Sequence, residues 1–182
     1  LLIDKNWTLF LDRDGVINTR IPDDYVMTPE QFDFIPGILD SFPSLANYFG
    51  RIVIVSNQQG IGKGLMTEAN LQTIHKKMLD AISKTGGRID KVYFCPHIKE
   101  SGSFLRKPNI GMGLLARKDF PDIHFSRSVM VGDSLSDMRF GKRLGMQTVY
   151  ISSNLNEIRS NPGLIDQAFP DLYTFAKSLF NH

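Results

Sequence analysis

Short, mainly apolar runs alternate along the chain with segments whose apolar residues recur at helical spacing. Trp7 to Leu11, Arg51 to Val55, Lys91 to Phe94, Ser128 to Val131 and Gln147 to Ile151 lack a polar face, which predicts strands covered on both sides. Between them, Leu71, Ile74, Met78 and Ile82 mark a helix capped by Thr67. Gly111 to Phe120 and Asp171 to Phe180 read as further helices, and Leu135 to Leu144 as one stopped by Gly145. Gly37 to Tyr48 reads as a helix that Pro43 shortens or distorts. Trp7, Phe10 and Phe94 are expected in the core, His75 and His124 at the surface.

This alternation predicts a three-layer, Rossmann-like α/β fold, a parallel sheet with helices on both faces. The 182 residues suffice for one domain, and no insertion is large enough for a second, so 1–182 is read as a single domain. Two long irregular segments remain, Pro22 to Pro36 and Pro96 to Pro108, and segments of that length often carry function.

Composition changes the picture little. Hydrophobic residues make up 42% and charged residues 22%, with a formal net charge of +2, so neither nucleic acid nor a membrane is called for. The single cysteine, Cys95, excludes an internal disulfide and fits a reducing compartment; with no targeting signal or membrane-length apolar run in the sequence, a cytoplasmic location is expected, and the protein is expected to be a monomer. The opening Leu1-Leu2-Ile3-Asp4 has no methionine, as after removal of a leader or tag. Asn6-Trp7-Thr8 matches a glycosylation sequon, a pattern short enough to arise by chance.

The chemistry lies at the predicted strand ends, where parallel sheets bind ligands. The first strand delivers Asp12 and Asp14, the second Ser56 and Asn57, and the fourth Asp133, with Asp137 one helical turn on. The loop after the third brings Arg106-Lys107. Convergent carboxylates suit Mg²⁺, a hard ion with oxygen ligands, and the set as a whole suits phosphoryl transfer. Asp12 could attack phosphorus, and Asp14 could move protons if Gly15 lets the chain turn. Ser56 would hold phosphate oxygens, and Lys107 would offset the accumulated negative charge.

LFLDRDG, IVSNQQG, RKP and MVGDSLSDM, in this order, resemble the four motifs of the haloacid-dehalogenase-like (HAD-like) phosphohydrolase superfamily. DRDGVIN, SNQQGIG and CPH…RKP are similar to the subgroup of heptose 1,7-bisphosphate and histidinol-phosphate phosphatases, which lacks a large cap domain. The resemblance implies Asp12 as nucleophile and Asp14 as general acid/base. It implies Mg²⁺ bound by the Asp12 carboxylate, the Asp14 main-chain carbonyl and Asp133, with the role of Asp137 open. It further implies substrate contacts from Arg13, from Thr19, Arg20, Ile21 and Pro22, from Ser56, Asn57, Gln58 and Gln59, and from Arg106 and Lys107. The implied substrate is a small phosphorylated sugar, foremost a heptose 1,7-bisphosphate, with histidinol phosphate the alternative.

One motif departs from the subgroup. Cys95-Pro96-His97 keeps the first half of its zinc loop, but Ser103-Phe104-Leu105 replaces the second C-x-C. A structural zinc site needs four nitrogen or sulfur donors, so none is expected, and packing of Phe104 and Leu105 is expected to hold the loop instead. Gly60-Ile61-Gly62-Lys63-Gly64 lacks P-loop spacing and reads as a loop or helix entry. Two rival functions are a phospho-accepting signalling module and a degenerate phosphate-binding scaffold.

Overall fold

Six parallel strands form one sheet in the order β3-β2-β1-β4-β5-β6, in a computed structural model that describes residues 3–181. Leu1 and Leu2, where the chain opens without methionine, lie outside the described residues. The strands are β1 (Thr8–Leu11), β2 (Arg51–Asn57), β3 (Lys91–Cys95), β4 (Ser128–Gly132), β5 (Gln147–Ile151) and β6 (Gln167–Phe169). The helices are α1 (Phe42–Tyr48), α2 (Gln59–Gly62), α3 (Glu68–Lys84), α4 (Gly111–Asp119), α5 (Leu135–Leu144), α6 (Leu155–Ser160) and α7 (Leu172–Ser178).

The unbroken apolar strands are explained by two cores, one on each face. Leu9, Leu11, Ile52 and Ile54 point into a cluster completed by Leu45, Ile74, Met78 and Phe175, from α1, α3 and α7. Phe10, Val53, Val55 and Met130 point the other way, onto Met112, Ala116 and Phe140 of α4 and α5. Successive strand side chains face opposite sides, so a sheet covered on both leaves no solvent face for a polar residue.

Helix boundaries follow local chemistry. Thr67 accepts the Asn70 N–H at the start of α3, and Gly145 at φ 79° ends α5. The Gly37–Tyr48 segment divides as Pro43 suggests: a 3₁₀ turn over Ile38–Ser41 precedes α1, and Pro43 sits in the first turn of α1, where its missing N–H costs nothing. The Gly60–Gly64 stretch is partly the short α2, in keeping with a helix entry. α6 and β6 are additions to the expected elements.

Several burial expectations need correction. Trp7 and Phe94 are only half-buried, because Trp7 precedes β1 and Phe94 lies on the outlying β3. His75 is buried rather than at the surface, since α3 turns it toward the end of β1, whereas His124 is exposed. In the loop after β3, Leu105 packs on the second core but Phe104 is exposed. Among the described residues, no helix is long and apolar enough to cross a membrane.

Candidate active site

Strand order determines where the chemistry gathers. The chain leaves central β1 for β2 and β3 on one side, then returns to add β4, β5 and β6 on the other. The crevice between the carboxyl ends of β1 and β4 is therefore the switch point of the sheet. A cavity of about 490 Å³ opens there, and its lining includes Asp12, Asp14, Lys107 and Asp137.

Beyond Leu11, the Asp12 N–H still donates to the Val131 carbonyl at 2.9 Å, which keeps Asp12 in register with β4. The chain then turns. The Arg13 carbonyl accepts the N–H groups of Val16, Ile17 and Asn18, while the Asp14 carbonyl takes none of these. Gly15 makes the turn at φ 84°, and a Cβ there would sit 1.9 Å from Asp133 Oδ2. Only glycine therefore allows this approach of the β1 turn to the Asp133 carboxylate.

Lys107 is the fixed cation of the floor. Its Nζ lies 2.9 Å from Asp12 Oδ1 and 2.6 Å from Asp137 Oδ1, and it donates to the Val55 carbonyl at 2.6 Å. The Val55 contact is a hydrogen bond, while the two carboxylates meet the ammonium as ion pairs. The Asn57 side chain clasps the Lys107 backbone, accepting its N–H at 3.0 Å and donating to its carbonyl at 3.2 Å. Asp137 is fully buried, and its Oδ2 accepts from the Ser134 N–H and hydroxyl, capping α5. A side chain on Gly132 would collide with Asp137, so that glycine lets α5 settle on the end of β4. In this structure Asp137 is thus both a counter-ion to Lys107 and a cap of α5.

Electrostatics follow from burial. Burial pushes the Asp12 carboxyl up to about 7; Lys107 opposes this, and the charges of Asp137 and Asp133 add to it. Burial likewise raises Asp133 to about 6, against the pull of Arg20, whose Nη2 is 3.2 Å from Asp133 Oδ1. Burial acts against the Lys107 ammonium, but Asp12 and Asp137 outweigh it and raise its pKa. Carboxylate oxygens of Asp12, Asp133 and Asp137 lie within 4.8 Å of one another, a spacing compatible with one divalent cation.

Asp14 is held differently. Burial would raise its pKa, but the Arg13 guanidinium outweighs it, with Asn18 and Gln58 assisting, and the carboxyl lies below its ordinary value. Arg13 Nη2 donates to Asp14 Oδ1 at 2.9 Å, Asn18 to the same oxygen at 3.0 Å, and Gln58 to Oδ2 at 2.8 Å. Arg13 is among the residues that line the cavity, but it is engaged within the protein. Its side chain is 1% exposed, and its Nη1 donates to His75 Nε2 at 3.3 Å. Arginine cannot accept, so His75 is the neutral tautomer protonated on Nδ1. Burial, with the Arg13 charge, lowers His75 to about 4.

The other expected contact residues divide into three groups. Arg20, Ile21, Asn57, Gln58, Gln59 and Arg106 line the cavity. Thr19 and Pro22 are exposed and outside its lining. Ser56 is 1% exposed, with its hydroxyl beneath the Gln58 amide at 2.7 Å. Tyr25 and Lys63 join the lining without having been singled out. Gln59 Nε2 donates to the Tyr25 hydroxyl at 2.8 Å, and Lys63 Nζ lies 5.3 Å from the Tyr25 ring centre. Tyr25 lies in the irregular segment flagged for its length, but nothing in the sequence aimed it at the cavity.

In the halved zinc loop, His97 Nδ1 lies 2.8 Å from the Ser103 hydroxyl, and Cys95 Sγ is 3.8 Å from that oxygen. With one cysteine in the chain, this loop does not assemble the donor set of a structural zinc site.

Comparison with known proteins agrees with the geometry. The HAD-hydrolase-like family model matches residues 104–172. A D-glycero-alpha-D-manno-heptose-1,7-bisphosphate 7-phosphatase of Mycobacterium bovis is 36% identical over 170 residues, spanning 93% of this chain and 90% of that protein. A D-glycero-beta-D-manno-heptose-1,7-bisphosphate 7-phosphatase of Rhodopseudomonas palustris is 39% identical over 146 residues, 75% of this chain and 78% of its own. The D,D-heptose 1,7-bisphosphate phosphatase of Bordetella bronchiseptica, solved with magnesium and phosphate, superimposes with a TM-score of 0.86 at 30% identity, covering 96% of this chain and 98% of that one. The chain therefore belongs to the HAD-like hydrolase family. Within that family, these relatives are heptose bisphosphate phosphatases.

Proposed function

We propose that the protein is a Mg²⁺-dependent phosphomonoesterase that removes phosphate from a heptose 1,7-bisphosphate through an aspartyl-phosphate, within one capless domain. The observation that carries the reading is Asp12, held at the switch point between Lys107 and the carboxylates of Asp133 and Asp137. The substrate class comes from the relatives, whose names specify both anomers.

The residues present fit the metal. Carboxylates of Asp12 and Asp133, with the Asp14 carbonyl, would hold it, and it would keep Asp12 ionised and neutralise phosphate charge. An Asp12 oxygen attacks phosphorus, the bond to the sugar oxygen breaks, and Asp14 protonates the departing alkoxide. Arg13 holds Asp14 ionised in the free site; the arriving phosphate dianion raises its proton affinity, and Asp14 takes up from solvent the proton that it then delivers to the alkoxide. Asp14 next takes a proton from water, the water oxygen attacks phosphorus, and the bond to Asp12 breaks, releasing phosphate. Lys107 offsets the charge of the phosphoryl oxygens throughout. Arg13 and His75 act as positioning residues for Asp14. Arg106 and the Arg20–Ile21 and Asn57–Gln59 segments would contact the substrate.

The test is kcat/KM with Mg²⁺ for both heptose 1,7-bisphosphate anomers, histidinol phosphate and 3′-phosphorylated oligonucleotides. The heptose bisphosphates are expected to lead. A stable phosphoenzyme without turnover on any substrate would instead indicate a phospho-accepting module.

A further inference from the structure

The side-chain amide of Gln58 bridges Asp14 and Ser56. Gln58 follows β2 directly; its backbone N–H donates to the Cys95 carbonyl at 2.8 Å, and the residue is buried. Its Nε2 donates to Asp14 Oδ2 at 2.8 Å and to the Ser56 hydroxyl oxygen at 2.7 Å. An ionised carboxylate only accepts, so the amide turns its nitrogen to Asp14, and both of its protons are spent inside the protein. Toward the cavity Gln58 has only a carbonyl oxygen left, which cannot hold an anionic phosphate.

The two oxygens of Asp14 are held unequally. Oδ1 accepts from Arg13 at 2.9 Å and from Asn18 at 3.0 Å, which fill its two acceptor positions. Oδ2 accepts only the Gln58 amide and keeps one position open. The Asp14 side chain is still 22% exposed and lines the cavity. Arg13 and Asn18 belong to the same turn as Asp14, whereas Gln58 arrives from β2, 44 residues on. Carboxyl rotation is soft, so with Oδ1 as a pivot it is the distant donor that fixes where Oδ2 points.

We infer that Gln58 is a positioning residue that aims Asp14 Oδ2 at the leaving oxygen, and that Oδ2 rather than Oδ1 carries the proton, an inference that rests on the acid/base role proposed for Asp14. As the bond from phosphorus to the sugar oxygen breaks, that oxygen keeps the electron pair and takes the proton from Oδ2. In the second half, Oδ2 takes a proton from water while the water oxygen bonds to phosphorus and the bond to Asp12 breaks.

The test varies the leaving group. A sugar leaves as an alkoxide that needs a proton, whereas 4-nitrophenolate leaves without one. kcat/KM reports the reaction up to that departure. Gln58→Met keeps the bulk but not the donor. In it, kcat/KM for the heptose 1,7-bisphosphate falls about 30-fold, chiefly through kcat, and that for 4-nitrophenyl phosphate falls less than about 3-fold. Asp14→Asn sets the scale, with a larger loss of the same selectivity. Gln58→Asn, one methylene shorter, keeps an amide that no longer spans to Asp14, and it gives the same pattern should Gln58→Met fail to fold. Equal losses on both substrates in the Gln58 variants, beside a selective loss in Asp14→Asn, overturn the inference and leave the role of Asp14 standing. An unselective loss in Asp14→Asn removes that role and the inference with it. The comparison works with any alkyl phosphate that the protein turns over, so a different sugar phosphate defeats the substrate reading alone.

Discussion

Lys107 Nζ and Asp137 Oδ1 stand 2.6 Å apart with neither side chain more than 1% exposed. Removing one partner of a buried pair strands the other charge. Lys107→Met is therefore expected to lower stability by about 3–5 kcal/mol, read by denaturant unfolding. It also removes the group that draws the Asp12 pKa down, so activity should fall at least 100-fold, roughly the loss of one preorganised charge-stabilising donor.

Arg13 keeps Asp14 ionised. In Arg13→Gln, the Asp14 carboxyl loses its largest lowering influence and its pKa rises. The base step then requires a higher pH, so the acidic limb of the kcat profile moves upward. An unmoved limb, with only a uniform drop in kcat, would mean that Arg13 merely packs.

His75 should couple folding to pH. Its folded pKa of about 4 is below the ordinary value of 6.5, so between these the unfolded chain binds more protons than the folded one. Stability thus rises with pH across that window and is lost as pH falls through it, by about 3 kcal/mol for this one group. His75→Gln keeps an acceptor for Arg13 but does not titrate, and is expected to flatten this slope in unfolding measured from pH 4 to 7.

Asp133 meets the β1 turn only because Gly15 has no side chain. Gly15→Ala must displace Asp133 or distort a turn at φ 84°, so activity should fall while the sheet still forms by circular dichroism.

Chelation by EDTA is expected to abolish turnover, and added Mg²⁺ to restore it. Asp133→Asn should raise the Mg²⁺ concentration giving half-maximal activity by about 10-fold or more. Activity indifferent to EDTA would remove the metal from the reaction.

Much of this molecule can be read along the chain, because its determinants are local. Continuous apolar runs such as Arg51 to Val55 admit only strands buried on both faces, and Thr67 and Gly145 bound helices through their own backbone chemistry. The residues proposed for catalysis follow the strands in motif order, so Asp12, Asp14, Lys107 and Asp133 stand out as candidates in the sequence alone. Long-range placement does not. That the Arg13 guanidinium is held between Asp14 and His75 depends on α3 delivering His75, a residue 62 positions on. That Asp137 pairs with Lys107 while its other oxygen caps α5 depends on how α5 settles on the end of β4. Tyr25 and Lys63 reach the cavity from segments with no periodic signal. Local pattern specifies an element because its causes lie within a few residues. The partner of a buried charge is chosen by strand order and helix packing, which bring distant residues into contact.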